Sequence, residues 1–561
     1  MNITSKQNEL DSSRFTEHLI EGRGLDSIAS IGPDGKISLR LDLKELAKEV
    51  PDDHAANVIE FATDFKWREC PSLSILIMIV GSRGDVQPYL ALGQQLKKDG
   101  HRVRLATHET FREIVVDAGL EFFCIGGNPQ DLMSYMVKNP GLMPGFESLT
   151  NGDIVRKRKM LTEMINGCWR ACHKPAEDGP FVADAIISNP PSFAHVHCAE
   201  ALGIPLLLSF SEDTIFSSPT TSFPHPLVNV SSANAGSWTT NIMSYAASEM
   251  MQWQGFGDLV NEFRTTTLGL APLSLRLGAG LVDRLKIPWT YCMSPALVPK
   301  PGDWKNFIDV VGFYFLDLGT KYTPKEDLAA FLKAGEPPVY IGFGSVVVDN
   351  PEAMTQIIFE ATKQAGVRAL VSAGWGGLGG TTIPSHVFIL GNVPHDWLFD
   401  QDRVAAVVHH GGAGTTAIGL AKGRPTVVVP FFGDQGFWGT MIHKAGAGPE
   451  PIPQKDLNIE ILRDAITYAI SPPAKEAAAR LSRKILSEDG ARKGAESFYR
   501  HLPLLNMRCD LDPTKVAIWW SQEHFMKLSS LAAQVLVDAK IITMDSLTIH
   551  RTLQFRLSHF D

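Results

Sequence analysis

The chain has 561 residues, of which 44% are hydrophobic and 20% are charged. These values are ordinary for globular proteins, so they exclude a fibrous or wholly disordered chain. The net charge of −9 at pH 7 argues against nucleic-acid binding, because neutralising phosphates requires a net basic surface. Domains usually contain roughly 150 residues, so the length predicts several domains and favours a large enzyme.

The cysteines and the start of the chain predict a cytoplasmic protein. Seven cysteines are scattered along a chain that is too long to need disulfide staples. The opening segment MNITSKQNELDSS has neither the basic region nor the apolar core of a secretory signal. The apolar run around Ile75–Val80 is less than half of the roughly 20 residues that a membrane-spanning helix needs, so it predicts a buried strand.

Residues 1–70 are polar and turn-rich, which predicts a partly disordered N-terminal extension with one helix near 43–50. From residue 71 the pattern changes. The continuous apolar run 73–80 is typical of a parallel strand covered on both faces, and the Gly- and Pro-punctuated residues 81–88 predict a loop. A helix at 89–98 and a strand at 101–107 follow. This unit begins a doubly wound α/β domain that we place at 71–320.

The same order of elements restarts at residue 338. A strand over 338–344 ends in a turn at Gly344 and Ser345, a helix spans 352–364, and another strand spans 367–372. We therefore predict a second, similar α/β domain at 321–472. The charged, helical pattern after it predicts a C-terminal helical segment at 473–561.

The strongest chemical signal lies in the segment VAAVVHHGGAGTTAIGLAK at 404–422. An apolar strand runs into a glycine-rich turn, and a helix begins near Thr415. The free N–H groups and the positive dipole end of such a helix bind anions, and glycines let a phosphate approach the backbone. On the residues alone, a plain tight turn remains the alternative.

Two further turns follow predicted strands. The segment PFFGDQ at 430–435 places Asp434 and Gln435 where a carboxylate and an amide can bind several sugar hydroxyls. The segment LGNVPHDWLF at 390–399 has backbone amides that could pair with the edge of a base. Either segment, taken by itself, also fits an ordinary turn.

Three motifs occur in order within about 45 residues: NVPHDWLF, HHGGAGTT and PFFGDQ. Together they resemble the donor-binding signature of UDP-sugar glycosyltransferases. With GSRGDVQP at 81–88, the pattern over about residues 71–470 is similar to the sterol 3β-glucosyltransferase group. The resemblance implies a GT-B fold, in which two Rossmann-like doubly wound domains face each other across a cleft. It also implies that the acceptor binds the N-terminal domain and the UDP-sugar mainly the C-terminal domain.

The resemblance also assigns residues to the donor. Val393 and His395 would border uracil and ribose, and Asp434 with Gln435 would hold the sugar hydroxyls. The residues expected around the diphosphate are Ser82, Arg83, Gly84, Gly344, Ser345, His409, His410, Gly411, Gly412, Ala413, Gly414, Thr415 and Thr416. Two positions depart from the pattern of many plant members: Asn392 replaces a stacking tryptophan, and Ala417 replaces a ribose-binding glutamate.

Asp85 and His225 are the candidate catalytic residues. A carboxylate near the cleft can take the proton of an acceptor hydroxyl if burial raises its pKa, and the resemblance gives the matching aspartate that role. The alternative is that Asp85 caps the following helix. His225, in SFPHP, could act as a base or orient one, whereas its flanking prolines fit a structural role equally well.

Several other patterns are interpreted as unrelated to function. Gly374–Gly379 fits a dinucleotide fingerprint, but residues 380–384 cannot begin the helix that NAD binding requires. Asp400-Gln-Asp402 and Asp510-Leu-Asp512 match a metal motif, but neither ends an apolar strand. The Cys168/Cys172 pair and the His195-x-His197-Cys198 segment, with its strand-like surroundings, are interpreted as buried and structural. We therefore expect no metal and no cofactor.

These observations predict an inverting transfer of glucose from UDP-glucose to the hydroxyl of a sterol or similar apolar polycyclic alcohol, giving a β-glucoside. One alternative keeps the chemistry but uses a terpenoid or other secondary metabolite. Another is a non-catalytic protein that binds a sugar nucleotide or a lipid. The Met- and aromatic-rich residues 240–256 fit an acceptor wall, a peripheral membrane contact or a plain core helix.

Overall fold

The computed structural model describes most of the chain after residue 69. The described residues are 2–4, 17–22, 25–31, 37–41, 70–131, 153–177, 179–210, 218–220, 222–223, 225, 238–316, 322–344, 346, 350–374, 378, 382–431 and 433–553. The predicted helix near 43–50, Ser345 and parts of the SFPHP and Gly374–Gly379 segments lie outside these ranges.

Within the N-terminal extension the structure has strands that the sequence analysis does not predict. They form an antiparallel sheet in the order β1-β2-β3-β4. The missed signal is the alternation of apolar and polar residues, as in Ile37, Leu39 and Leu41, which is typical of a strand with one covered face. The strands are β1 (Asn2–Thr4), β2 (Glu17–Gly22), β3 (Leu25–Ile31) and β4 (Ile37–Leu41).

The predicted N-terminal α/β domain contains a seven-stranded sheet in which all strands are parallel, in the order β11-β10-β9-β8-β5-β6-β7. The order reverses between β5 and β8, so the loops that follow these two strands diverge and leave a crevice at the carboxyl edge. The strands are β5 (Ser74–Met78), β6 (Arg102–Thr107), β7 (Glu121–Cys124), β8 (Ala185–Ser188), β9 (Leu206–Phe210), β10 (Trp289–Tyr291) and β11 (Ile308–Val310).

The predicted second α/β domain contains a five-stranded parallel sheet in the order β14-β13-β12-β15-β16. Its strand order reverses between β12 and β15, which again opens a crevice at the carboxyl edge. The doubly wound fold of both domains is as predicted. The strands are β12 (Val339–Gly342), β13 (Ala369–Ser372), β14 (Val387–Leu390), β15 (Ala406–His409) and β16 (Thr426–Val428).

Helices cover the sheets and form their connections. In the first domain they are α1 (Arg83–Lys98), α2 (Arg112–Asp117), α3 (Asp153–His173), α4 (His195–Leu202), α5 (Trp238–Glu262), α6 (Leu275–Gly278) and α7 (Leu281–Arg284). Those that follow are α8 (Glu326–Lys333), α9 (Pro351–Gln364), α10 (His395–Leu398), α11 (Ala413–Ala421), α12 (Gln435–Lys444), α13 (Ile459–Ala469), α14 (Pro472–Leu486), α15 (Gly490–Arg500), α16 (Leu504–Met507) and α17 (Ser530–Asp538).

The chain after α13 returns from the second domain to the first. Helix α14 contacts α11, and Ser482 donates a hydrogen bond to the carbonyl of Ala421 at 2.6 Å. Helix α15 instead contacts α1, and Tyr499 donates to Asp99 at 2.8 Å. The crossover between the domains therefore lies at the junction of α14 and α15, where Asp489 has a left-handed conformation with φ +49°.

The C-terminal segment is helical through α16, as predicted, and beyond α16 it also contains strands that the sequence analysis does not predict. The structure has an antiparallel sheet in the order β18-β17-β19, with α17 packed against β18. The aromatic residues of this region, such as Trp519 and Trp520, lie in a strand, for which aromatic side chains have a high propensity. The strands are β17 (Trp519–Ser521), β18 (Met526–Leu528) and β19 (Leu547–Ile549).

Candidate active site

The predicted donor residues of the second domain that the structure describes lie at the carboxyl edge of its sheet. His409 at the end of β15 pairs with Gly342 on one side and Val428 on the other. A Cβ atom on Gly411, where φ is +94°, would lie 2.7 Å from the carbonyl oxygen of Gln435. The glycine-rich turn and the Asp434–Gln435 turn are therefore in direct contact, and the contact requires glycine.

Helix α11 begins directly after this turn. Its N-cap residue is Gly412, which provides no side-chain cap, so the first amides of the helix are open to an anion. Three buried polar atoms at this end lack a hydrogen-bond partner among the described residues: His409 Nε2, His410 Nδ1 and Thr416 Oγ1. Unpartnered buried polar groups are costly, so their clustering at a helix N-terminus indicates a site for an anionic ligand.

The two histidines of the turn are neutral. Burial, together with the neighbouring rings of His410 and His395, holds the pKa of His409 well below its usual range. Burial and the His395 ring lower the pKa of His410 to about 4. His409 Nδ1 accepts a hydrogen bond from the Gly411 amide at 3.0 Å, which leaves Nε2 as the protonated nitrogen. His409 can therefore donate a hydrogen bond to a ligand but carries no charge.

Val393 and His395 lie at the start of α10, beside the same edge. The His395 ring stacks on Phe399 with centroids 4.9 Å apart, and its Nε2 lies 3.0 Å from the Tyr340 hydroxyl. Burial lowers the pKa of His395 to about 4. The partly buried His395 ring therefore contacts Tyr340 and Phe399, while the contact with the nucleoside that the resemblance implies stays a prediction.

Asp434 and Gln435 form the start of α12 and are 8% and 4% exposed. Asp434 Oδ2 accepts a hydrogen bond from the indole N–H of Trp438 at 2.6 Å. Gln435 Oε1 accepts one from the Phe431 amide at 2.7 Å. These hydrogen bonds hold both side chains in place beside the glycine-rich turn. A carboxylate or amide oxygen is a group that can accept hydrogen bonds from sugar hydroxyls.

Asp85 lies in a helix and not in the flexible loop that the sequence predicts. Helix α1 begins at Arg83 because Ser82 and Asp85 form a capping box: the Ser82 amide donates to Asp85 Oδ2 at 2.6 Å, and the Gly84 amide donates to Ser82 Oγ at 3.2 Å. Pro88 lies inside this helix, which misled the sequence interpretation. The structural alternative for Asp85 is therefore correct in part, although the N-cap residue is Ser82.

The environment of Asp85 suits a general base. The side chain is 9% exposed, and burial raises the pKa of its carboxyl to about 6, while the hydrogen bonds from Ser82 oppose the shift. Helix α1 also contacts α11 of the other domain. Asp85 and the anion site thus belong to facing helices. Ser82, Arg83 and Gly84 lie at the same helix start, with the Arg83 side chain exposed.

Two residues that the sequence analysis does not identify hold the loop before Asp85. Asn189, after β8, binds the backbone of Val80 twice, accepting from its amide at 3.1 Å and donating to its carbonyl at 2.7 Å. His108, after β6, accepts from the Gly81 amide at 3.3 Å and donates to the Gly126 carbonyl at 2.8 Å. The available signal was position, since each is the first residue after a parallel strand.

His225 is buried at 2% exposure and is bound to helix α5. Its amide donates to Ser244 Oγ at 2.7 Å, and its Nε2 lies 3.2 Å from Ser248 Oγ. Gln252, one turn further along α5, also donates to Ser248 Oγ, at 3.1 Å. The described hydrogen bonds of His225 are thus with residues of helix α5. Through Ser248 they link His225 to Gln252, which lines a cavity.

This cavity lies between α5, the start of α4 and the α6–α7 turn, and leaves about 690 Å3 unfilled by protein atoms, part of it open to solvent. Its wall is mostly apolar and aromatic, with two histidines, Glu249 and Gln252 as the polar members. Phe193 contributes its ring from a strained left-handed conformation with φ +54°. The other lining residues include Pro190, His195, Val196, His197, Leu208, Trp253, Phe256, Val260, Leu281, Val282 and Trp289.

Two of the remaining sequence patterns have structural explanations. Asp402 pairs with Arg424 at 2.6 Å, and Asp400 with Lys422 at 3.3 Å. The histidines at 195 and 197 are buried on helix α4, which corrects the expectation of a strand there. Among the described residues, no three histidine, cysteine or acidic side chains are grouped so that they could hold a metal ion. Over the same residues, no helix has the length and apolar character needed to cross a membrane.

Comparison with known proteins agrees with this architecture. The glycosyltransferase family 28 N-terminal domain matches residues 75–214, and the erythromycin biosynthesis protein CIII-like C-terminal domain matches residues 377–493. The solved glycotransferase of kitacinnamycin is 20% identical with a TM-score of 0.55, covering 77% of this chain and 100% of its own. The glycosyltransferase VinC, solved in complex with DTDP, is 16% identical with a TM-score of 0.51, covering 76% of this chain and 99% of its own. The fold is therefore that of a GT-B glycosyltransferase.

Closer relatives narrow the class. Sterol 3-beta-glucosyltransferase UGT80B1 of Arabidopsis thaliana is 45% identical over 442 residues, which cover 78% of this chain and 69% of the relative. UGT80A2 of the same plant is 43% identical over 490 residues, covering 85% and 74%. The chain belongs to the sterol 3-beta-glucosyltransferase family.

Proposed function

We propose that this enzyme transfers glucose from UDP-glucose to the hydroxyl of a sterol or closely similar polycyclic alcohol and forms a β-glucoside. The observation that carries the proposal is the start of helix α11, where three buried polar atoms without a partner in the described part of the chain adjoin the Asp434–Gln435 turn. An anion site next to a pair of side chains suited to sugar hydroxyls fits a sugar diphosphate. Membership of the sterol 3-beta-glucosyltransferase family supports both substrates.

The diphosphate would lie on the turn formed by residues 409–415. The amides at the start of α11 would accept the negative charge that grows on the leaving diphosphate as the sugar departs. Neutral His409 would add a hydrogen bond through Nε2. Because preorganised dipoles supply this stabilisation, we propose that the reaction needs no metal ion.

The chemical step would be a single displacement with inversion. The acceptor oxygen attacks the anomeric carbon, the bond between that carbon and the phosphate oxygen breaks, and UDP leaves with the bonding electrons. The acceptor proton passes to the Asp85 carboxylate, which the raised pKa makes a competent base near neutrality. His225 would act on the acceptor side through its hydrogen bond to helix α5.

The cavity beneath α5 is the proposed site of the apolar acceptor. A concave, mostly apolar and aromatic wall is typical of small-molecule sites, and burial of a ring system there is favourable by about 25 cal/mol per Å2.

A sterol also partitions into bilayers, so we propose a peripheral contact of this protein with membranes. Flotation with sterol-containing vesicles tests this contact, which predicts that the protein floats with the vesicles. We place the contact on the cytoplasmic side because all seven cysteines are free thiols, as a reducing compartment favours.

The Asp85→Asn variant tests the central proposal. We expect turnover with UDP-glucose and a sterol to fall by roughly 10²–10⁴-fold, which is the usual contribution of a general base. Binding of UDP, measured by calorimetry, should be unchanged because Asp85 lies outside the diphosphate turn. Asp117→Asn, a change at an exposed aspartate at the end of α2, is the matched control and should retain wild-type turnover.

The same assay separates the alternatives. Preference for triterpene or other acceptors over sterols would shift the substrate class while keeping the chemistry. UDP binding without turnover on any acceptor would indicate a non-catalytic protein. If turnover of Asp85→Asn fell by less than about threefold, Asp85 would not be the general base.

A further inference from the structure

Trp438 makes a contact that the donor-site proposal does not use. The residue lies on α12, one turn after Asp434, and is 1% exposed. Its indole N–H donates to Asp434 Oδ2 at 2.6 Å, a short hydrogen bond to a carboxylate that is itself buried. The indole N–H can only donate, and a hydrogen bond to a carboxylate is a strong one, so this bond holds the Asp434 carboxylate in a fixed orientation.

The ring of Trp438 also reaches the other domain. Its centroid lies 6.3 Å from that of Phe313, which follows β11 of the N-terminal sheet. The adjacent Phe437 lies 5.4 Å from Phe223, two residues before His225. The start of α12 is thus packed against the N-terminal domain at two neighbouring places.

We propose that Trp438 is a positioning residue, which orients the Asp434 carboxylate for the sugar hydroxyls and links that orientation to contact between the two domains. The inference rests on the proposed donor function of Asp434. Trp438 itself touches neither sugar nor phosphate in this proposal, so its effect should appear only with ligands that carry the sugar.

The Trp438→Phe variant tests the hydrogen bond because it keeps an aromatic ring and removes the N–H group. We expect the Kd for UDP-glucose, measured by calorimetry, to rise about tenfold, as loss of a hydrogen bond to a charged group predicts. The Kd for UDP should change less than about twofold. Trp304→Phe is the matched control, since Trp304 donates its indole N–H to the Ser218 carbonyl at 3.3 Å within the N-terminal domain. It should affect neither ligand.

A double-mutant cycle identifies the route of the effect. If Trp438 acts through Asp434, then Trp438→Phe should cost less than about twofold in UDP-glucose affinity when Asp434 is already Asn. Additive losses, or an equal loss of affinity for UDP and UDP-glucose, would overturn the inference. If Trp438→Phe does not fold, replacing Trp438 by the benzothienyl analogue of tryptophan, in which sulfur takes the place of N–H, provides the same comparison.

The domain link has its own readout. Phe313→Leu leaves the Trp438 N–H in place and reduces only the contact across the domains. We expect a rise of about threefold or more in the Kd for UDP-glucose with an unchanged Kd for UDP; no change in either would remove the domain link.

Wild-type binding distinguishes this inference from the proposal beneath it. Wild-type protein that binds neither UDP nor UDP-glucose would refute the donor function itself. Normal wild-type binding with unchanged Trp438→Phe affinities would refute only the positioning role.

Discussion

At Gly81 the backbone has φ +144°, a conformation that residues with a Cβ atom rarely adopt. A Cβ there would also overlap the Asp85 carboxylate. The close approach allows the capping box to hold Asp85 against the end of β5. The side chain proposed as the base is therefore placed by a glycine four residues earlier in the chain.

We expect Gly81→Ala to lower turnover by at least tenfold, because the added methyl group must displace the Asp85 carboxylate. Gly100→Ala is the matched control: φ there is +98°, but nothing lies within 4 Å of the new Cβ. Both variants should lose about 1–3 kcal/mol of stability from backbone strain. Equal turnover in the two variants would show that the contact with Asp85 is immaterial.

The buried carboxyl of Asp85 also predicts a pH dependence. Burial raises its pKa to about 6, so the group is protonated below that pH and cannot take the acceptor proton. We expect kcat/KM to decrease tenfold per pH unit below about pH 6. A pH–rate profile of the wild type measures this decrease. If kcat/KM began to fall only below pH 4.5, the environment assigned to Asp85 would be contradicted. The residual activity of Asp85→Asn should lack the limb.

At the scale of the element, the first turn of helix α11 contains a buried hydroxyl that folding by itself does not require. Thr416 is fully buried in its first turn, and its hydroxyl has no partner among the described residues. In a protein that only had to fold, a valine of the same shape would avoid the cost of burying that hydroxyl.

Thr416→Val should therefore act with opposite signs on stability and binding. We expect the ligand-free protein to gain about 1 kcal/mol and the Kd for UDP to rise about tenfold, measured by thermal unfolding and calorimetry. Thr362→Val is the control, because Thr362 is equally buried but donates to the Ile358 carbonyl at 2.8 Å, so it should lose stability. If Thr416→Val instead destabilised the ligand-free protein, the Thr416 hydroxyl would stabilise the fold, which would contradict a role reserved for the ligand.

At the scale of the whole molecule, helix α15 completes the hydrophobic core of the first α/β domain. Phe498 and Tyr499 of α15 belong to the same buried cluster as Ile75 and Ile77 of β5. The first α/β domain therefore cannot form its complete core until the chain has crossed back from the second domain. The boundary predicted at 472/473 falls at the start of α14, before this crossover.

Phe498→Ala should destabilise the first domain although it lies far from it in sequence. We expect a loss of about 3–5 kcal/mol, as for other fully buried phenylalanines. Hydrogen exchange should locate the lost protection in β5 and α1. Leu486→Ala, at a residue 63% exposed, should change stability by less than about 0.5 kcal/mol. Lost protection confined to 490–553 would contradict a shared core.

Local patterns sufficed for much of this protein. The apolar run at 73–80 and the glycine-rich turn at 409–414 each specify their own geometry, because the period of burial and the φ angles of glycine are properties of a short segment. The motif order additionally indicated the family. The helix start at Arg83 was also local, in the capping box of Ser82 and Asp85, but Pro88 hid it.

Other features were decided only by tertiary structure. Three contacts join residues that are distant in sequence: His395 with Tyr340, Asn189 with the backbone of Val80, and Trp438 with Phe313. Such contacts depend on which strands become neighbours and how the two sheets face each other. The sequence by itself determined which chemical groups follow each strand. Packing between segments that are distant in sequence decided which of those groups lie next to each other in the site.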